Sequence, residues 1–205
     1  MTRVLLALLA AAPAGRIAGK VDFAGPAPRP QQVKSACAGA APVWEQRALV
    51  RLTTNVPPGP VPAGPVTLEA RGCRFEPWLQ GAVKGQKIAL RNRDGTTHSV
   101  RAAAQGRVVF NVIQAPDGGP LEKDPILTGV VTIGCDLHPW MKAFVVVSEH
   151  PYFAVTADDG AFEINDVPPG RYGIEAWNDR LGVSRAEVTV EAGAAADPKL
   201  SFRSE

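Results

Sequence analysis

Short apolar runs that alternate with a period of two recur along almost the whole chain, and this pattern constrains its fold more than any other feature. Ile17, Val21 and Phe23 alternate in "RIAGKVDF", and Val188 and Val190 do so in "AEVTVEA". Such alternation is typical of strands that bury one face. Proline-rich stretches such as "GPAPRP" and "NVPPGPVPAGP" separate the runs and would break a helix. The sequence therefore predicts an all-β protein.

The composition is that of a folded chain and excludes some partners. Of the 205 residues, 45% are hydrophobic and 20% are charged, and the 20 Gly and 19 Pro fit a protein with many turns. The formal net charge of +2 is too small to indicate a nucleic-acid or polybasic membrane partner. We also expect no membrane span, because no apolar run is long enough to cross a bilayer.

The N-terminus has the features of an export signal. Arg3 precedes the apolar run "VLLALLAAA", and the small residues of "APA" at 12–14 suit a cleavage site. We therefore predict a signal peptide over residues 1–14, a mature chain that starts near Gly15, and a periplasmic location. The alternatives are an apolar first strand or a membrane anchor, which the shortness of the run disfavours.

Two units are predicted after the signal. Residues 61–150 contain five strand-like runs, and residues 151–205 follow a different rhythm. In the second unit, "YFAVTADDGAFEINDVPPGRYGIEAWN" is interpreted as a hairpin with its turn at Asp159-Gly160, followed by a Pro-Pro-Gly turn and a third strand. Because this piece is marginal as a lone sandwich, we expect residues 15–60 to supply strands that pack with it.

The stretch "GCDLHPWMKAFVVV" carries the strongest indication of function. It places Cys135, His138 and Met141 in a short loop ahead of a strand. Thiolate, imidazole and thioether ligands select copper, and one Cys, two His and a weak axial Met form the blue-copper electron-transfer site. A loop can turn all three side chains toward one point, whereas positions i and i+3 of a continuous strand face opposite sides.

The remaining ligand would have to be one of the two other histidines in the chain. His98 follows a strand and an Asp-Gly turn in "ALRNRDGTTHSV", from which a loop could reach Cys135. His150 is less suited, because it stands beyond the far end of the strand that leaves the Cys135 loop. The competing interpretation is a half-buried strand cysteine with an unrelated surface histidine and a core methionine.

The segment "CDLHPWMKAFVVV" resembles the copper loop of the amicyanins, and "NRDGTTHSV" resembles the loop that carries their first histidine. Residues 66–182 are still more similar to a family of periplasmic cupredoxin-like proteins, often named methylamine-utilisation or plastocyanin-like proteins, through phrases such as "GCRFEP" and "HPYFAVTADDGAFEINDVPPG". This resemblance implies a cupredoxin Greek-key β-sandwich with one type 1 copper ion. It also implies His98, Cys135 and His138 as ligands in the plane and Met141 as the axial ligand.

The chain departs from the family pattern near the first histidine and at two further positions. Ser99 and Arg101 stand where the family commonly has Asn and His, and Trp78 and Asn178 stand where it tends to have His. The change at Ser99 puts in doubt the hydrogen bonding that ties the two ligand loops together. Any additional histidine-based site of the relatives is lost.

Two residues are expected to support the ligands, and two to form a surface for a partner. The backbone N–H of Ser99 is a candidate donor to the cysteine sulfur, a contact that would raise the reduction potential, and Asn92 is the second supporting residue. In amicyanin-like proteins the loop histidine serves as the electron port, so His138 with Pro139 and Trp140 would form an apolar docking patch. Trp140 could equally belong to the core.

Cys37 and Cys73 remain once Cys135 is assigned to the metal. In an oxidising compartment they are predicted to form one disulfide, which would tie the N-terminal strands to the copper unit. The alternative is two buried thiols.

The segment "VTADDGAFEINDVPPGRYGIEAW" resembles a carboxypeptidase regulatory-like domain, which implies a second, smaller transthyretin-like β-sandwich that acts as a spacer or a partner-binding module. Asp158, Asp159 and Asp166 could be imagined as calcium ligands. Aspartates at hairpins are usually there because they favour turns, and the loop lacks an EF-hand pattern.

The predicted function is that of a periplasmic blue copper protein, not an enzyme, that carries single electrons between redox partners such as a c-type cytochrome or a dehydrogenase. One alternative is a cupredoxin-like module that stores copper or binds no metal. Another is a copper oxidase, which the lack of further histidines disfavours.

Overall fold

The protein is all-β, as the sequence predicts. The computed structural model describes residues 12–23, 45–125 and 127–202, so Cys37 and most of the predicted signal peptide lie outside the described residues. Within the described ranges there is no helix that could cross a membrane. The strands are β1 (Gly15–Phe23), β2 (Leu49–Thr54), β3 (Val66–Ala70), β4 (Phe75–Glu76), β5 (Leu79–Val83), β6 (Ile88–Asn92), β7 (His98–Ala104), β8 (Arg107–Gln114), β9 (Leu121–Lys123), β10 (Gly129–Cys135), β11 (Lys142–Ser148), β12 (Phe153–Val155), β13 (Ala161–Val167), β14 (Gly170–Asn178), β15 (Gly182–Val190), β16 (Ala195–Ala196) and β17 (Leu200–Phe202).

The first sandwich consists of two sheets, with the strand orders β5-β11-β10-β7-β8 and β4-β3-β6-β9. Alternate residues of the strands meet in one core, for example Val100 and Ala102 of β7 and Val131 and Ile133 of β10. This period-two burial is the physical counterpart of the alternation in the sequence. The candidate metal centre lies at the end of this sandwich where β10 ends and β7 begins.

The second sandwich combines strands from both ends of the chain. One sheet contains β13, β1 and β16, with β17 also paired to β1, and the other has the order β12-β2-β14-β15. Their core includes Ile17 and Val50 from the N-terminal strands and Ile164 and Ile174 from the C-terminal strands. Along the chain, β1 and β2 belong to this second sandwich, β3 to β11 form the first sandwich, and β12 to β17 complete the second.

The predicted hairpin around Asp159-Gly160 is wrong. β12 pairs with β2, and β13 pairs with β1, so the turn carries the chain from one sheet to the other. The Pro-Pro-Gly turn then carries it back, because β14 pairs with β2 and β15. The N-terminal strands occupy the hydrogen-bonding edges that a local hairpin would have used.

The two sandwiches meet at β11, which is buried on both faces. Val145 and Val147 belong to the first core, whereas Phe144 packs in a separate cluster with residues of the second sandwich. The Phe144 ring stands edge-on to Trp78 and Trp177, with centroid distances of 5.5 and 5.1 Å. Burial on both sides explains why the sequence of β11 is a continuous apolar run instead of an alternating one.

Candidate metal centre

Pairing between β7 and β10 brings His98 and Cys135 to the same end of one sheet. Cys135, the last residue of β10, lies opposite Val100, which is two residues beyond His98 on β7. Because side chains alternate along a strand, His98 and Cys135 share the face that points into the sandwich. They are 0% and 5% exposed.

The loop after Cys135 folds back tightly and so returns His138 to the cysteine. The Met141 N–H donates to the His138 carbonyl at 2.9 Å, and the Cys135 N–H donates to the Met141 carbonyl at 3.3 Å. The Asp136 N–H donates to the Ser99 carbonyl at 2.9 Å, which attaches the loop to β7. Met141 is 2% exposed and packs in the same core as Cys135.

Three ligand atoms converge at this point. Nδ1 of His98 lies 3.1 Å from Nδ1 of His138, and the Cys135 Sγ lies 3.8 Å from the former and 3.5 Å from the latter. Trigonal metal–nitrogen and metal–sulfur bonds of about 2.0 and 2.3 Å would place the two nitrogens about 3.5 Å apart and each nitrogen about 3.7 Å from the sulfur, and tetrahedral bond angles would shorten these separations by about 0.2 Å. The residues therefore fit a metal ion with little movement.

Electrostatics favour the thiolate form of Cys135, the form that binds metals. Burial raises the pKa of this thiol, but hydrogen bonding outweighs burial and the net pKa is lowered. The donors are the His98 ring and the backbone N–H groups of Leu137, Ser99 and His138.

The pKa values of the two histidines are shifted in opposite directions, upward for His98 and downward for His138. Burial lowers the pKa of His98, but its contacts with Cys135 and Asp94 raise the pKa by more. Burial, and after it the charge of His98, lower the pKa of His138. In the metal-free site these contacts favour the protonated His98 ring, and His138 is favoured neutral. Metal binding requires both rings to be neutral, so it displaces a proton from His98.

Asp94 is a site residue that the sequence reasoning missed. Its Oδ2 lies 2.9 Å from Nε2 of His98 and accepts the Cys73 N–H at 3.0 Å, while its Oδ1 accepts the Gly72 N–H at 2.6 Å. The available signal was an aspartate four residues before the histidine. An Asp-Gly pair is so common in turns that it was interpreted only as a turn.

Ser99 supports the cysteine loop through its side chain as well as its backbone. Its hydroxyl has one proton to donate and lies 3.3 Å from Oδ1 of Asn111 and 3.4 Å from Oδ2 of Asp136, which share it as acceptors. Arg101 and Asn111 also bind Asp136, at 2.8 and 3.0 Å. Ser99 and Arg101 thus connect β7 to the residue that follows Cys135.

Asn92 orders the loop that carries His98. It is 1% exposed, and its side-chain amide donates to the carbonyls of Thr96 and Ala115 at 2.7 and 2.8 Å. Its Oδ1 accepts the Asp94 N–H at 2.9 Å. These hydrogen bonds of Asn92 go to the loop and not to the Cys135 sulfur, so Asn92 supports the site indirectly.

The predicted docking patch is partly exposed. Pro139 is exposed and His138 is half-buried, while Trp140 is half-buried, packs on the core, and donates Nε1–H to the Cys73 carbonyl at 3.2 Å. Leu137, which the sequence reasoning did not select, is 55% exposed. A loop leucine between two ligand residues was the available signal for it.

The other candidate residues lie elsewhere. His150 binds the Leu52 carbonyl through Nε2 at 3.0 Å and accepts the Tyr152 N–H through Nδ1 at 3.2 Å. Asp158 pairs with Arg47 at 2.6 Å, and the Asp159 carboxylate accepts the Ala161 N–H at 3.0 Å. These hydrogen bonds and this ion pair give His150, Asp158 and Asp159 structural roles that do not require a metal ion.

Cys135 is a free, buried thiol, whereas Cys73 is disulfide-bonded. Cys37, its predicted partner, lies outside the described residues, so the pairing stays a prediction.

Comparisons with known proteins give one family match and several structural similarities. The family model described as polysaccharide lyase family 4, domain II, matches residues 128–197. This range includes β10 and β11 as well as most of the C-terminal segment. It is a different family from the carboxypeptidase regulatory-like domain that the sequence resembles. A search of curated proteins gives no match.

Among solved structures, the chain is similar to a purple cupredoxin from Nitrosopumilus maritimus, with 21% identity and a TM-score of 0.36 over 40% of this chain and 99% of that chain. An amicyanin variant in its Cu(I) form gives 16% identity and a TM-score of 0.38 over 48% of this chain and 98% of that chain. A copper-containing nitrite reductase from Thermus scotoductus SA-01 gives 20% and 0.35 over 42% of this chain and 23% of that chain. At such low identities and TM-scores these similarities do not establish a common function.

Proposed function

We propose that this protein is an electron carrier that binds one type 1 copper ion through His98, Cys135 and His138, with Met141 as a weak axial ligand. The observation that supports it is the convergence of two imidazole nitrogens and one thiol sulfur, all within 4.8 Å of one another, in a buried site. Three such groups meeting by chance in a core would leave polar atoms without a function that justifies their burial.

The donor set favours copper over zinc. Zinc sites take Cys, His and carboxylate ligands, and a thioether is not among them. A cysteine, two histidines and a methionine in one site are the set that suits copper. Met141 is buried in the loop that holds Cys135 and His138.

The rigidity of the site favours electron transfer over storage. His98 is fully buried, and the cysteine loop is fixed by backbone hydrogen bonds to Ser99 of β7 and between its own residues. Copper bound there would supply a one-electron couple. The residues of this chain would hold the ligands in one arrangement, exclude water from the buried side, and present only the edge of His138 to the surface.

We propose that a redox protein, such as a c-type cytochrome or a dehydrogenase, docks on Leu137, His138, Pro139 and Trp140. The half-buried His138 ring is the ligand nearest to solvent, and its neighbours Leu137 and Pro139 are exposed. The Trp140 ring lies 5.2 Å from the His138 ring and would steady it. Exposed apolar residues around a ligand are what a transient electron-transfer partner needs.

We further propose that the protein acts in the periplasm and is not an enzyme. The proposal of export depends on the sequence of residues 1–14, and the relationship to methylamine-utilisation proteins depends on the quoted sequence phrases. A copper enzyme needs further ligands for its substrate. With His98 and His138 in one site, His150 is the remaining histidine of the chain, and it is bonded to Leu52 and Tyr152.

The test is addition of Cu(II) to the purified metal-free protein. We expect one copper per chain, an intense visible absorption from the cysteine–copper bond, and a reversible one-electron potential. Cys135→Ser should abolish the absorption, since the thiolate is its source. His150→Gln is the matched control, because it removes a histidine outside the site and should leave the absorption unchanged.

A colourless protein that binds copper without a reversible potential would instead support the storage module. Absence of stoichiometric copper binding would refute both the carrier and the storage function.

A further inference from the structure

We propose that Asp94 is a positioning residue that fixes the His98 ring for metal binding and connects it to the turn formed by residues 71–74. The identity of the metal in this inference rests on the proposed function, but the position and protonation of the ring do not. The observations are the contacts of Asp94, the shape of the turn, and the contacts of that turn with Trp140.

The Asp94 carboxylate determines which ring nitrogen of His98 carries a proton. An ionised carboxylate can only accept hydrogen bonds, so Nε2 of His98, 2.9 Å from Oδ2, must be the donor. In the neutral ring Nδ1 then carries a lone pair. Nδ1 is the nitrogen that lies 3.8 Å from the Cys135 sulfur and 3.1 Å from Nδ1 of His138. Asp94 thus directs the lone pair of His98 toward the site.

The turn at residues 71–74 holds the carboxylate in place. Arg71 and Arg74 exchange backbone hydrogen bonds of 2.9 and 3.2 Å, and Gly72 and Cys73 between them have φ values of 58° and 55°. Positive φ at both central residues is typical of a type I′ turn. Both central N–H groups point to one acceptor, since Asp94 accepts from Gly72 at 2.6 Å and from Cys73 at 3.0 Å.

The same turn also supports the second histidine, indirectly through Trp140. The Cys73 carbonyl accepts the Trp140 Nε1–H at 3.2 Å, and the Trp140 ring lies against the His138 ring. One short turn therefore supports His98 through Asp94 and His138 through Trp140. This accounts for a non-glycine residue, Cys73, in a left-handed conformation, because such strain persists only where its surroundings enforce it.

Asp94→Asn is the decisive variant, because it keeps the size of the side chain and changes one oxygen to a donor. An amide cannot accept from Gly72 on one side and from His98 and Cys73 on the other. Either the turn or the ring therefore loses its partner. Loss of such a supporting contact weakens metal affinity by about ten- to a hundred-fold. Asp159→Asn is the matched control, since Asp159 also accepts a backbone N–H in a turn but contacts no histidine.

The first measurement is nitrogen NMR of the histidine rings in the metal-free protein at neutral pH. We expect His98 to be protonated at Nε2, with this proton protected from exchange in the wild type and in Asp159→Asn, and exposed in Asp94→Asn. A wild-type His98 whose Nε2 carries no proton would overturn the inference, whether or not Nδ1 is also protonated. This readout requires no copper, and the wild-type result decides the position of the proton whether or not Asp94→Asn folds.

The second measurement is Co(II) and Cu(II) affinity by competition with a chelator. We expect a loss of about ten- to a hundred-fold in Asp94→Asn and none in Asp159→Asn. Equal affinities of the wild type and Asp94→Asn would overturn the positioning role. If the wild type binds neither metal, the proposed function fails, and the NMR result alone still decides the position of the His98 proton.

Discussion

Asn92 shows how much of the site depends on a residue that touches no ligand. Its amide satisfies the carbonyls of Thr96 and Ala115 and the N–H of Asp94, three backbone groups of irregular segments near His98. These backbone groups are not paired with a neighbouring strand, so a side chain must form their hydrogen bonds. The residue before the loop therefore determines the path of the loop.

We predict that Asn92→Ala lowers the free energy of unfolding by about 1 to 3 kcal/mol, because buried backbone groups lose their partner. Urea denaturation of the metal-free protein measures the change. Asn111→Ala is the control, since Asn111 is exposed and its amide donates to the carboxylate of Asp136; its effect should be under about 1 kcal/mol. Equal stability of Asn92→Ala and the wild type would show that water replaces the amide without cost.

At the scale of elements, the strands could be predicted and their partners could not. The alternation in β1 and β15 and the spacing of Cys135, His138 and Met141 are local in sequence, so the all-β class and a cysteine loop could be inferred from them. The turn at Asp159-Gly160 looked like a hairpin because its residues favour one, but distant strands took the pairing edges. Asp94 was missed for a similar reason, since its contacts with Gly72 and Cys73 depend on the parallel pairing of β3 with β6.

Gly81 marks where β5 meets the second sandwich. A Cβ at this position would lie 2.2 Å from Cε2 of the Phe153 ring, which packs in the cluster between the two sandwiches. We predict that Gly81→Ala lowers the free energy of unfolding by about 1 to 3 kcal/mol, the usual cost of overpacking. Gly119→Ala is the control, because its Cβ would meet no atom within 4 Å. Two variants of equal stability in urea would mean that the Phe153 ring moves away at no cost.

At the scale of the molecule, β11 links the candidate metal centre to the second sandwich. It begins directly after Met141, contributes Val145 to the first core and Phe144 to the cluster between the sandwiches, and leads into the segment of His150. A shift of the second sandwich would therefore also displace β11, the strand that follows the ligand loop. The first sandwich is connected to the second at both of its ends, because β2 precedes it and β12 follows it in the chain.

His150 makes this junction sensitive to acid. Its Nδ1 accepts the Tyr152 N–H and its Nε2 contacts the Leu52 carbonyl, so the neutral ring fits both partners and the protonated ring cannot accept. Burial lowers the pKa of His150 below its ordinary 6.5, despite the opposing contact with Leu52. A lowered histidine pKa means that the unfolded chain binds the proton first. The stability that His150 contributes is therefore complete above pH 6.5 and is lost as the pH falls from there toward the folded pKa.

We predict that His150→Gln removes this part of the pH dependence, because glutamine does not titrate. The measurement is the free energy of unfolding of the metal-free wild type and variant at about pH 7.5 and about pH 5. The wild type should lose more stability than the variant between these values, and taking the difference cancels the contributions of His98 and His138. An equal loss in both proteins would contradict the prediction. It would mean that titratable groups other than His150 account for the acid sensitivity of the fold.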